Sequence, residues 1–219
     1  MTVVTILRDA WFFYRRHFLR IAMLCMPLIL AESLTRHLTG ELVTERLAMQ
    51  DLLIGLLLYP LYSAALILYL DARSRGHSPT AGQLYSRALA LWPRMALLSA
   101  IASLLILFGA SLFVLPGIWI MVKIAFAEYL LVLEGRTPLR ALADSMRLTQ
   151  GRFLLVLGCA LAVLVPLWAL DIWLAASLPD AGRALLPTLA LDALLGVVQL
   201  FATVVMFRCF MLSLAAGET

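Results

Sequence analysis

What leaves this chain the fewest options is a succession of apolar runs, each long enough to cross a lipid bilayer. A hydrocarbon core about 30 Å thick takes roughly 20 apolar residues of α-helix, or about 17–25 with tilt. The runs at 52–70, 95–115, 116–133, 153–176 and 188–207 meet that requirement, and the first two contain no charged residue. A sixth, 18–34, is weaker: only 21–31 is free of charge, and Arg20 and Glu32 flank it. In lipid every backbone amide and carbonyl must bond within its own segment, so each run is expected to be a helix. Composition agrees. Of 219 residues 63% are hydrophobic and 14% charged, against about half and a quarter in soluble domains. A cleavable signal peptide is the rival reading of 18–34, because Ala31-Glu32-Ser33 offers small residues at a suitable spacing. The preceding "LRDAWFFYRRHF" is too long and too aromatic for the start of such a peptide, and no soluble domain follows.

Arginine placement orients the spans. Arg8, Arg15, Arg16, Arg20, then Arg73, Arg75, Arg87, Arg94, then Arg136, Arg140, Arg147, Arg152 fall in three segments, whereas the intervening loops hold Arg36, Arg46 and Arg183. The positive-inside rule puts the three Arg-rich segments, and with them both termini, in the cytoplasm. Those segments also share a design. Thr137-Pro138 is a favourable helix start, followed by Leu139, Leu142, Met146 and Phe153 at helical spacing, with Arg140, Asp144 and Arg147 on another face. Ser78-Pro79 opens a similar helix with Leu84, Ala88, Leu91 and Met95 opposite Arg87 and Arg94, and Ile6, Ala10 and Phe13 stand opposite Arg15 and Arg16. The expected fold is all-α and polytopic, one membrane domain of six transmembrane helices arranged as three hairpins. A cytoplasmic amphipathic surface helix, at 2–17, 79–94 and 138–152, precedes each hairpin. Arg15, Arg16, Arg87, Arg94, Arg140 and Arg147 are then placed to contact lipid headgroups of the anionic inner leaflet.

Between the last two Arg-rich segments lies "LPGIWIMVKIAFAEYLLVLEGRTPLRALADSMRLTQGRF". Pro116-Gly117 reads as a tight outer turn. The stretch resembles the signature of YciC-type bacterial inner-membrane proteins. It is similar, too, to the membrane domain fused to some glycerophosphodiester phosphodiesterases. The matching positions are Pro116, Gly117, Lys123, Glu134, Gly135, Ala141, Ser145, Leu148, Gly151, Arg152 and Phe153. The resemblance implies a six-span layout and little about activity, since those enzymes keep catalysis in a separate soluble barrel and no stretch here could hold one.

The candidate site consists of charges inside spans, which are rare and usually face protein or water. Lys123, Glu128, Asp171 and Asp192 qualify, and Arg208 marks the inner end of the last span or joins them. At 1.5 Å per residue, Lys123, Asp171 and Asp192 lie about 8–9 Å below the outer surface, and Glu128 belongs to the inner half. Lys123 can snorkel to the headgroups beside Trp119, pair with Asp171 or Asp192, or serve a ligand. Pro27, Pro60 and Pro166 lie within spans, a transporter device and also an ordinary feature of membrane helices. Ala96/Ala100 and Ser99/Ser103 are spaced for close helix contact.

Cys25, Cys159 and Cys209 lie in apolar runs without C-x-x-C spacing or a neighbouring histidine, so neither disulfide nor zinc is expected. His17, His37 and His77 are scattered, and no hydrolase, metalloprotease or phosphate-loop motif occurs. No metal, cofactor or nucleic-acid partner is implied. The function expected is non-enzymatic, in envelope or lipid homeostasis through binding of lipid or membrane partners. The alternative is a small-solute or lipid transporter or channel. An intramembrane lipid enzyme lacks the converging nucleophile and base it would need.

Overall fold

The structure, a computed structural model, describes residues 2–42, 48–177 and 185–215; the loop residues Arg46 and Arg183 lie outside these. The described elements are all helical: α1 Val3–Leu42, α2 Ala48–Ser74, α3 Ala81–Leu112, α4 Val114–Ile124, α5 Ala127–Glu134, α6 Pro138–Leu148, α7 Phe153–Ser177 and α8 Leu185–Ala215. Six stretches are long and apolar enough to cross a membrane, in α1, α2, α3, α4 with α5, α7 and α8. Their outward faces carry Leu104, Leu107, Phe108, Leu154 and Trp168, all well exposed, as expected of surfaces solvated by hydrocarbon.

Two of the three expected surface helices do not exist as separate elements. Residues 2–17 run without a break into α1, and 79–94 into α3, because neither junction carries a residue that stops a helix; Pro93 is accommodated inside α3. The start of α3 also moves, from Ser78-Pro79 to Thr80, whose side chain accepts from Gln83 N–H while Gln83 caps the Thr80 amide in return. Ile6 and Ala10, expected to face lipid, are buried in the protein core, as are Leu84, Ala88 and Met95. Only α6 stands alone. Its buried face is Ala141, Leu142 and Ser145, while Leu139 points outward.

The helices of each expected hairpin are in contact, α1 with α2, α3 with α4 and α7 with α8, and contacts between hairpins are as extensive. The most extensive contact of α1 is with α8 rather than α2, and α2 lies against α3 as closely as α3 against α4. Tyr14 Oη donates to the Val197 carbonyl at 2.6 Å, Trp11 and Tyr14 both meet the Phe201 ring edge-on, and Ile29 fills the space a side chain at Gly196 would need. The Ala31–Ser33 stretch lies inside α1, with Ser33 buried.

Pro27 and Pro60 remove a helical donor and loosen the turn before them. Each is answered from α3. Tyr85 Oη donates to the Leu24 carbonyl, and Trp92 Nε1 to the Leu57 carbonyl at 2.7 Å, each in the loosened turn next to the carbonyl, Met23 or Leu56, whose helical donor the proline removes. Side chains from a neighbouring helix bonding such a turn help to accommodate prolines in lipid.

The outer turn differs from expectation. The reversal occurs at Phe113, which is extended (φ −168°, ψ 156°), and Pro116 and Gly117 lie within the first turns of α4. Gly117 instead permits close helix approach: a Cβ there would stand 3.0 Å from backbone and side-chain atoms of Ala110. The expected span 116–133 is interrupted at Ala125–Phe126, between α4 and α5. Ser145 of α6 fills the gap, accepting from Phe126 N–H at 3.1 Å and donating to the Lys123 carbonyl at 2.8 Å.

Candidate functional site

The break between α4 and α5 places Glu128 in the first turn of α5, beside its amino-terminal end, where the partial positive charge of the free amides favours a carboxylate. Tyr59 and Ser63 sit four residues apart on one face of α2. Both donate to Glu128 Oε2, Ser63 at 2.8 Å and Tyr59 at 3.2 Å. Among the described residues no cation lies within ion-pair distance of Glu128.

A second acidic group gathers where α1, α7 and α8 meet. Ser33 Oγ donates to Asp192 Oδ2, and Glu32 pairs with Arg36 one turn along α1 at 2.5 Å. Asp171 of α7 lines the same space. Gly55 leaves room for the pair, since a Cβ there would stand 3.1 Å from Arg36 Nη2.

Three adjoining cavities, of about 290, 380 and 500 Å³, connect these groups. Tyr62 and Gln199 line all three. Among the described residues the walls carry four carboxylates, those of Glu32, Glu128, Asp171 and Asp192, and one guanidinium, that of Arg36. Elsewhere they are largely aliphatic, with Leu98, Ile106, Val163 and Leu164. Ser99 lines two of the cavities, and its buried hydroxyl has no protein partner. An unpaired hydroxyl beside open space is a place for a water or a ligand atom. Ser99 and Ser103, expected to mark a helix contact, thus face the cavity instead.

Of the four candidate charges, Asp171 and Asp192 line one cavity and Glu128 lines the two that adjoin it, while Lys123 lines none of them. Lys123 is half-buried on α4 and makes no ion pair among the described residues; its Nζ lies 5.8 Å from the centre of the Trp119 ring. Pairing with Asp171 or Asp192 is therefore not made. Arg208 is exposed on α8. Glu32, Ser33, Tyr59, Tyr62, Ser63 and Gln199 were not singled out from sequence, although Gln199 is a lone amide in an apolar helix and the two tyrosines interrupt an aliphatic one.

The motif positions hold α5, α6, α7 and α8 together, away from the cavity. Glu134 and Asp144 share Arg136, at 3.1 and 3.7 Å. Gly135 and Gly151 take positive φ (66° and 75°) at the turns before α6 and α7, a conformation that costs other residues about 1–2 kcal/mol. Arg152 Nη1 donates to the Ser213 carbonyl at 2.7 Å, tying the turn before α7 to the end of α8, and Phe153 begins α7. Arg15, Arg16, Arg87, Arg94, Arg140 and Arg147 are all exposed. Cys25, Cys159 and Cys209 are buried and free, and among the described residues no cluster of histidine, cysteine and carboxylate side chains is arranged to hold a metal. No family model and no solved structure matches the chain.

Proposed function

We propose that this is a small-solute carrier or channel, without enzymatic activity, of the bacterial inner membrane. Its solute occupies the carboxylate-edged cavity between α1, α2, α3, α5, α7 and α8. The observation that carries this reading is the shared cavity itself. Carboxylates inside apolar spans, Glu128 and Asp192 above all, are costly unless they face water or a ligand, and the cavities are close to or within the size range of small-molecule pockets, about 300–1,000 Å³. The interruption of α4–α5 beside Glu128 supports it, because half-helices at depth are where carriers place their sites. Both termini are assigned to the cytoplasm on the arginine count, and kinship with YciC-type proteins rests on the motif between Pro116 and Phe153.

The reading is tested by water access. In a cysteine-free protein in proteoliposomes, Gln199→Cys should react with a membrane-impermeant thiosulfonate reagent, whereas Leu104→Cys, on the outward face, should not. Absence of reaction at 199 from either side would remove the cavity's claim to be a solute path. The second reading, a lipid-organising role, is favoured by the six exposed arginines. It would stand alone in that event.

A further inference from the structure

Resting on the carrier reading, we propose that the solute is an organic ammonium ion: a cationic nitrogen joined to an apolar body. Charge is the first argument. The cavity walls hold four carboxylates and one guanidinium, and Arg36 is already paired with Glu32. Among the described residues an entering anion would meet no uncommitted cation, while a cation is drawn in by a field that apolar walls focus.

Chemistry of the walls then separates organic from inorganic cations. A metal ion stripped of water needs a shell of about six oxygens. Around Glu128 there are two hydroxyls, those of Tyr59 and Ser63, and both already donate to its Oε2. The remaining walls are mostly aliphatic or aromatic, suited to hydrocarbon, with Ser99, Gln199 and Thr203 the polar side chains among them. The Tyr59 and Tyr62 rings meet nearly at right angles, 82°, with centroids 5.4 Å apart, forming an aromatic corner next to Glu128. Aromatic faces beside a carboxylate are the usual recognition of an alkylated ammonium. Ser99 Oγ, buried and unpartnered, and the Gln199 amide supply acceptors for N–H groups of such an ion.

Two stations follow. The Asp192 and Asp171 end differs from the Glu128 end, where the Tyr59 and Ser63 hydroxyls bond the carboxylate; Glu32 and Arg36 border both. A cation would pass from the first to the second by way of Tyr62 and Gln199, which line both.

The test uses the full chain in nanodiscs of zwitterionic lipid, with three probes: ethidium, tributylammonium, and the anion anilinonaphthalene sulfonate. Ethidium should bind saturably, be displaced by tributylammonium, and not be displaced by sodium chloride at the same ionic strength. Glu128→Gln should weaken ethidium about tenfold to a hundredfold, the loss expected when a charged acceptor becomes neutral, and Glu128→Asp should recover part of it. Because Glu128→Gln could unfold the bundle, Gln199→Trp provides a second arm: it fills the cavity without removing a charge and should also abolish binding. Tighter binding of the sulfonate, blocked by Gln199→Trp, would overturn the ammonium assignment and leave the carrier reading intact. Absence of saturable ethidium binding would overturn it as well. Labelling of Gln199→Cys then decides whether the carrier reading falls with it.

Discussion

Ser145→Ala is the most informative single change outside the cavity, because one hydroxyl is asked to satisfy two backbone groups at a helix interruption. The Ser145 side chain is fully buried; it accepts from Phe126 N–H at 3.1 Å and donates to the Lys123 carbonyl at 2.8 Å. Removing it leaves the Phe126 amide without a partner in the apolar interior, at about 1–3 kcal/mol. The carbonyl fares better, since Thr149 Oγ1 stands 3.5 Å from it and can close in, so its share is about 1 kcal/mol. The sum is about 2–4 kcal/mol. For a chain of this length each kcal/mol moves Tm by about 2–4 °C, and a drop of on the order of 10 °C is expected. Fluorescence-detected thermal unfolding in a mild detergent measures it. Ser145→Cys, which keeps a weak donor and acceptor, should fall between. A Ser145→Ala protein melting within a degree of wild type would refute the claim that α6 holds the interruption together.

Four further outcomes follow from the packing. Gly117→Ala places a Cβ 3.0 Å from the Ala110 backbone and should lower stability by about 1–3 kcal/mol, whereas Gly82→Ala, in a helix with nothing within 4 Å, should raise it by about 0.5–1 kcal/mol; paired thermal melts decide both. Trp92→Phe should cost about 1 kcal/mol by removing the side-chain hydrogen bond to the Leu57 carbonyl, with little change in the helical circular dichroism signal. In whole cells, a single cysteine at Phe113, exposed at the turn between α3 and α4, should react with an impermeant thiol reagent added outside, and one at Ser78 should not; the reverse pattern would invert the orientation. Arg140→Gln with Arg147→Gln should weaken salt-sensitive binding to anionic vesicles by about 1 kcal/mol per charge, read by co-flotation of the purified protein with neutral and anionic liposomes.

Much of this was legible because hydropathy over a window of about 20 residues measures the property a bilayer selects. All six apolar runs appear in the structure as helix. Junctions inside a helix were not legible: Arg15, Arg16 and Arg20 suit a surface helix and equally the exposed side of a longer one, and nothing between His17 and Ile21 breaks a helix. The interruption at Ala125–Phe126 has no local cause either, for "VKIAFAEY" holds neither proline nor glycine. The side chain that bonds its free backbone groups, Ser145, lies about twenty residues away, and period analysis is blind to that distance. Three of the four charges found by scanning spans line adjoining cavities, Glu128 in one part and Asp171 with Asp192 in another. Lys123 was grouped with them on depth alone, and depth says nothing about which side of its helix a residue faces. The hydroxyls that complete the site are invisible by charge, because serine and tyrosine are ordinary in apolar helices until a carboxylate from another helix meets them.

The meeting of α1 and α8 has a consequence for how the molecule is made. Tyr14 finds its acceptor at Val197 and Ser33 finds Asp192, so α1 is partnered largely by a helix synthesised well after it. At translation rates of about 5–20 residues per second, that interval is on the order of ten to thirty seconds. For that time α1, with Glu32, Ser33 and Arg36 on its flank, stands in the membrane beside whatever else is there. The i,i+4 pair of Glu32 with Arg36 needs no other helix and can form from the outset, neutralising the polar end of α1 while it waits. A nascent chain arrested before α8 emerges should accordingly expose Ser33 and the Gly196-facing side of Ile29 to membrane chaperones and proteases, and the completed chain should hide both.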